Sequence, residues 1–302
     1  MRFDRMLTLA VGSPVARLRP RPESTRIPIL MYHGISREID ATRHPYYRTV
    51  TSPETFARHI DYLERHGYTV LTLSAALRRL AASASHPIAR PPRQGESAAA
   101  TARDERVVAL TFDDGLRTFA TEAFPILAAR GFGATVFLST GYLGKAFPTG
   151  EACLHPSQVS TLAAHGIEFG SHTVTHPQLS RLSTAELRRE LIDSRAAVEH
   201  VAGRSSPLFS YPFAFPEEDA VFTQKLRGAL LDAGYEGGVT TIIGRASALD
   251  DPLLLKRLPI NDLDDDLLLR AKLEGAYDWL HAGQLLYKRL GSALAAVARR
   301  EK

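Results

Sequence analysis

Short apolar runs alternate with amphipathic helical stretches along most of this chain, which predicts an α/β protein built around a parallel sheet. Two further observations extend this to a barrel. Runs such as VVALTF and ATVFLS are apolar on both faces, as strands covered by helices must be. About seven or eight strand–helix units follow one another without an internal repeat, enough to close or nearly close a sheet. A chain of 302 residues can bury the core such a barrel needs.

The elements read in order as follows. IPILMY, starting at Ile27, is a buried strand that ends in His33 and Gly34. A helix follows Ser52-Pro53, with Phe56, Ile60 and Leu63 on one face and a stop at Gly67. Tyr68 to Leu73 is a strand, and Ser74 caps a helix running to about Leu80. Ala81–Arg106 is rich in Ala, Ser, Pro and Arg without periodicity and reads as a mobile surface insert. From Val107 the alternation is regular. VVALTF is followed by a helix over Arg117–Arg130, ATVFLS by a helix over Pro156–His165, and IEFGS by a helix over Ser183–Ala202. PLFSYP leads to a helix over Glu218–Ala233, then come EGGVTT and LLLKRLPI, with one or two helices at the end.

Composition excludes several classes. The hydrophobic fraction is 44% and the charged fraction 23%, ordinary for a globular protein and unlike a disordered or collagen-like chain. No apolar run is long enough to span a bilayer. The single cysteine, Cys153, rules out an intramolecular disulfide and a cysteine-based zinc cluster, and suits a reducing, cytoplasmic setting. The net charge of +4 comes from Met1–Arg26, Leu285–Lys302 and Arg78–Arg106, leaving the remaining body acidic. That distribution argues against a nucleic-acid-binding core. Met1–Ala16 weakly resembles a signal peptide, but its apolar stretch is short and interrupted, so an uncleaved extension is the favoured reading and export the alternative. Leu285, Leu286, Leu290, Leu294 and Val297 can form an apolar stripe among basic residues, suited either to docking on the barrel or to weak contact with an anionic membrane surface.

In a parallel barrel, chemistry sits where strands end. Asp113-Asp114-Gly115 directly follows VVALTF. Adjacent carboxylates in extended backbone point apart, so one can bind a metal while the other accepts a proton; the alternative is an Asp-Gly turn capping a helix. His172 and His176 follow IEFGS, four apart, as on one side of a helical turn, where two neutral imidazoles and a carboxylate can hold one metal.

TFDDG followed by SHTVTHPQL resembles the polysaccharide deacetylases, the NodB-homology group of carbohydrate esterase family four. ILMYHGI, the F-x-x-H-x-x-x-L-x-x-x-G-Y stretch Phe56–Tyr68, GFGATVFL, SYPF and LKRLPI fit in the same order, from Ile27 to Ile260 with the insert excepted. The resemblance implies a distorted parallel (β/α)7-type barrel with a C-terminal helical extension. The expected division is 1–26 as an N-terminal extension, 27–262 as the deacetylase domain with the insert at 81–106, and 263–302 as the C-terminal extension. The implied activity is metal-dependent removal of N-acetyl groups from a glucosamine-type glycan. The implied cofactor is a divalent metal, zinc first, with cobalt, nickel or iron as alternatives.

Carried onto this chain, the family's motifs imply Asp113 as general base, Asp114, His172 and His176 as metal ligands, and Thr173 as a support for the ligand loop. Ser210-Tyr211-Pro212-Phe213 stands where the family commonly has Arg-x-Pro-Tyr. A backbone N–H at Phe213 can still serve an oxyanion, but the Arg needs a substitute. Arg257 is the candidate, its alternative being a surface or helix-dipole partner. The family's Leu-x-His strand near the C-terminus is missing, since His281 lies in a helical pattern. LMYH has the required form, which resembles the permuted branch of exopolysaccharide synthesis and implies His33 as general acid. Tyr46 and Tyr47 are candidates for sugar contact, Trp279 reads as core packing, and the other histidines carry no expected role. Rival readings are an O-acetyl esterase, a non-catalytic carbohydrate-binding protein and a metal-independent amidohydrolase of the same fold. A two-Asp phosphatase would want an Asp-x-Asp pattern together with phosphate-binding Lys or Ser loops, a combination that is not evident.

Overall fold

The computed structural model describes residues 3–18, 25–40, 42, 44, 48–84 and 106–289. In chain order these form α1 (Phe3–Leu7), α2 (Ser13–Leu18), β1 (Arg26–Ile27), β2 (Ile29–Tyr32), α3 (Pro53–Arg65), β3 (Thr69–Leu71), α4 (Leu73–Ala84) and β4 (Val107–Phe112). They continue with α5 (Phe124–Ala128), β5 (Thr135–Leu138), α6 (Pro156–Ala164), β6 (Glu168–Ser171), α7 (Thr184–Ala202) and β7 (Leu208–Ser210). Last come α8 (Ala220–Asp232), β8 (Gly237–Ile243), β9 (Ala246–Ser247), β10 (Leu255–Pro259) and α9 (Asp266–Leu273), and residues 280–289 are again helical.

Seven parallel strands close a ring in the order β2-β10-β8-β7-β6-β5-β4, with β4 returning to β2. The seam is set by the first and last of these strands: Leu30 lies beside Leu258 and beside Leu110. β3 joins the outer edge of β4, pairing Leu71 with Ala109 below the point where β5 takes over at Thr111. This is the expected (β/α)7-type barrel.

Strand alternation splits the residues into two sets. Leu30, Tyr32, Val108, Leu110, Phe112, Val136 and Leu138 pack in the shell beneath the helices. Ile29, Ala109, Phe137, Leu208, Val239 and Leu255 form a separate cluster. Continuing that second set along its strands leads to Thr111 on β4 and Asp113 directly after it, Ser210 on β7 and Arg257 on β10. One end of the barrel lumen is therefore apolar and the other polar, and the polar end is where the strands finish.

Several elements differ from expectation for identifiable reasons. The IPILMY run splits at Pro28, which has no N–H to donate. Ile27 pairs antiparallel with Ala246 in β9, while the Pro28 carbonyl still accepts from Ala109. α4 starts at Leu73, ahead of Ser74, whose N–H goes to Glu168 instead. It runs through Ala84, so the start of the expected insert is helical, and residues 85–105 lie outside the described residues. The helix expected over Arg117–Arg130 opens with a π-helical turn over Phe119–Ala123, which accommodates Pro125 where its ring would crowd the preceding carbonyls.

Residues 3–18 are helical, with a π-helical stretch over Thr8–Gly12, and they dock against the C-terminal elements. The Tyr277 hydroxyl donates to Asp4 (2.7 Å), Trp279 Nε1 donates to Thr8 (3.0 Å), and Arg5 pairs with Asp265. Trp279 thus joins the N-terminal helical segment to the C-terminal elements. Of the expected apolar stripe, Leu290 onward lies outside the described residues, as do Tyr46 and Tyr47. No described helix is long and apolar enough to cross a membrane.

Candidate active site

Asp113 follows β4 directly, and its backbone N–H donates to the Tyr32 carbonyl at the end of β2 (3.0 Å). Its carboxylate is buried and held from two sides. Arg257 donates from Nη1 to Oδ1 (2.8 Å) and from Nη2 to Oδ2 (2.7 Å), and Ser210 Oγ donates to Oδ1 (3.1 Å). Arg257 is itself fully buried and fixed by the Thr240 carbonyl (2.9 Å), Thr111 Oγ1 and Ser210 Oγ. Arg257 thus lies against Asp113, and its alternative as a surface residue is excluded. Ser210, which sequence reasoning left without a role, completes the clasp. It occupies the position of the family's Arg, and its small side chain leaves room for a guanidinium arriving from β10. Burial pushes the Asp113 carboxyl up, but the positive charge of Arg257, with His172, outweighs it and holds the group well below the usual carboxylate range.

The two aspartates separate through a left-handed turn and not through extended backbone as expected. Asp114 has φ 72° and Gly115 φ 69°. A Cβ on Gly115 would come within 2.8 Å of the Leu138 side chain, so glycine suits this tight left-handed turn. The turn brings Asp114 Oδ1 to 3.5 Å from both His172 Nε2 and His176 Nε2.

The His-x-x-x-His stretch is a loop, not the expected helical turn. Thr173 and His176 both sit in the left-handed region, at φ 69° and 55°, which costs about 1–3 kcal/mol each for side chains of these types. Thr173 bridges the loop: its hydroxyl accepts from the His176 N–H (3.0 Å) and donates to the His172 carbonyl. His172 Nδ1 donates to the Ser210 carbonyl (2.8 Å), which fixes the proton on that nitrogen and leaves Nε2 as a bare lone pair facing Asp114. The His176 ring lies between Phe147 (5.2 Å) and Phe213 (4.5 Å). Phe213 has φ 61° and an exposed ring, and its carbonyl accepts from Thr241.

One carboxylate oxygen and two imidazole nitrogens lie within 4.8 Å of one another. The donor chemistry fits a divalent cation. Burial lowers both histidines, His176 to about 3, so both imidazoles are neutral at neutral pH. Burial, then Asp113 and Glu151, push Asp114 up to about 8, so this carboxylate calls for a cation or a proton.

His33 directly follows β2, beside this cluster. It shares a cavity of about 250 Å³ with Asp114, Phe147 and Glu151. Burial lowers its pKa to about 4, against the charge of Asp113 and with Arg257 and His172 adding to the decrease. His33 therefore rests neutral near pH 7, which differs from the protonated resting state its expected acid role suggests.

Residues 100–237 match the family model described as polysaccharide deacetylase. This stretch belongs to the polysaccharide deacetylase family. The chain is 28% identical over 237 residues to YxkH of Bacillus subtilis, spanning 78% of this chain and 72% of that protein. It is 29% identical over 125 residues to a chitooligosaccharide deacetylase of Bradyrhizobium sp., spanning 41% of this chain and only 53% of that protein. Among solved structures, the Streptococcus pyogenes deacetylase PplD in complex with acetate superposes with a TM-score of 0.64 at 25% identity, covering 83% of this chain and 99% of PplD. IcaB from Ammonifex degensii shares the fold, with a TM-score of 0.63 at 20% identity over 83% of this chain and 98% of IcaB. These matches support a hydrolytic deacetylase of the polysaccharide type.

Proposed function

We propose that this protein removes N-acetyl groups from an N-acetylated, glucosamine-type glycan and depends on a divalent metal, zinc first, held by Asp114, His172 and His176. The observation that carries the reading is one carboxylate held charged by Arg257 beside a second grouped with two neutral imidazoles. A cation at that cluster supplies Lewis acidity toward the acetyl carbonyl and makes water more acidic.

The chain's own residues supply the proton traffic. Water gives a proton to Asp113 as its oxygen bonds to the acetyl carbon. The backbone N–H of Phe213 donates to the oxygen that gains charge. As the carbon–nitrogen bond breaks, His33 gives a proton to the nitrogen, releasing a free amine and acetate, and the proton held by Asp113 returns through solvent to restore His33. Because His33 rests neutral, it must load its proton in each cycle, and the nearby Asp113 charge favours that loading. The supply of this histidine from β2 agrees with a permuted arrangement of the exopolysaccharide type.

A second reading rests on the same neutrality: His33 takes the water proton itself and passes it to the nitrogen, with Asp113 serving as a fixed negative charge. Acetate release from N-acetylglucosamine oligomers by wild type and Asp113→Asn tests both. Loss of turnover with metal retained supports Asp113 as base, whereas near-full turnover assigns that step to His33. Activity only on an O-acetylated xylan would replace the amidase reading with an esterase.

A further inference from the structure

We infer that Glu190 is a positioning residue which, from α7, holds the His172–His176 loop in the shape that lets both imidazoles converge on Asp114. The inference rests on the metal reading above. Val174 and Thr175, the consecutive residues at the crest of the loop, both donate their backbone N–H groups to Glu190 Oε2 (2.7 and 3.0 Å). The Thr175 hydroxyl donates to Oε1 (2.7 Å). A single carboxylate thus satisfies three donors between the two histidines, and bonds to an ionised acceptor are the stronger kind.

The loop needs such a hold. Thr173 and His176 are left-handed without being glycine, and the first is β-branched. Left to itself, this stretch would relax toward ordinary dihedrals and swing the His176 ring away from Asp114. Ser194, one helical turn beyond Glu190, holds the start of the loop: its hydroxyl meets that of Ser171 (2.6 Å), which accepts from the Thr173 N–H (3.1 Å). α7 therefore grips the ligand loop at two points, and Glu190 takes the half nearer His176. Neither contact touches a ligand atom, so the effect passes through backbone shape.

The test uses the full chain as wild type, Glu190→Ala, Glu190→Gln and Thr175→Val. Cobalt affinity is measured by competition with a chelator, and the visible absorption of bound cobalt reports its coordination. Thermal melting in chelator reports the metal-free fold. Glu190→Ala should bind cobalt about 10- to 100-fold more weakly with an altered absorption band, while its metal-free melting stays near that of wild type. Glu190→Gln, whose amide oxygen can still accept both N–H groups, should recover most of the affinity. If Glu190→Ala does not fold, Thr175→Val carries the test, because it removes one of the three bonds and should weaken cobalt by a smaller factor. Wild-type affinity and spectrum in a folded Glu190→Ala, or in Thr175→Val where that carries the test, overturns the inference and leaves the metal reading intact. A wild type that binds no cobalt overturns both.

Discussion

Arg257 and Asp113, 144 residues apart in sequence, meet through two parallel hydrogen bonds in the lumen of the barrel. Both side chains are essentially out of contact with water. Such a pair holds its geometry well and suffers when one member is removed.

Replacing Arg257 by Ala should therefore leave a buried, unbalanced carboxylate and lower unfolding stability by about 3–5 kcal/mol, read by chemical denaturation. The sign with pH follows from the depressed Asp113 pKa. The pair stabilises wild type at pH values above the ordinary carboxylate range, and that contribution fades as pH falls toward the folded value. The variant's deficit should shrink in acid, and a deficit constant with pH would contradict this account.

Metal stoichiometry should separate the two aspartates. His172→Ala and His176→Ala should each fail to retain stoichiometric metal after dialysis. Asp113→Asn should retain it while losing about 10²- to 10⁴-fold in turnover, the usual range for a missing proton acceptor. Elemental analysis beside acetate release decides, and full metal in both histidine variants would remove the proposed ligand set.

His33→Ala should keep its fold and metal and lose about 100-fold or more in amide cleavage. An activated aryl ester, whose leaving group needs little protonation, should be affected far less. Equal losses on the two substrates would take His33 out of the proton-donating role.

The helix at residues 280–289 is anchored by Glu217, which pairs with His281 (2.7 Å) and Lys288 (3.1 Å). Burial opposes the charge on Glu217, but its two basic partners win and lower its pKa from the ordinary 4.5. Their contribution is present above that value and is lost as pH falls through the folded pKa. Trp279, the one tryptophan in the chain, adjoins this helix, so its fluorescence should report loosening in acid. Glu217→Gln should remove most of that pH dependence. An unchanged acid transition would show that the anchor lies elsewhere.

The strands and their polar ends are legible in the sequence because a parallel barrel writes each buried strand as an unbroken apolar run, followed by the residues exposed at its mouth. Three features are not legible. The Arg257–Asp113 contact joins strands through a closed lumen, so no local pattern names the partner, and Arg257 enters only as a candidate beside a surface alternative. The left-handed Thr173 and His176 carry no glycine signal, since hydrogen bonds and not residue type hold them. Glu190 looks like any acidic residue on the outer face of an amphipathic helix. Pro28 and Pro125, by contrast, carry a local signal that reading IPILMY and Arg117–Arg130 as unbroken elements passes over, because each lacks the donor the element needs.

The seam between β2 and β10 has a consequence for synthesis. A ribosome makes β2 before every other barrel strand and β10 after them all, so the first must wait for the last before the ring can close. β2 brings His33 and β10 brings Arg257, so the final strand delivers both the closure and the countercharge for Asp113. A nascent chain interrupted before Leu255 would carry the ligand cluster with its neighbouring aspartate unpaired, and hydrolytic competence would appear only once translation had passed the far side of the barrel.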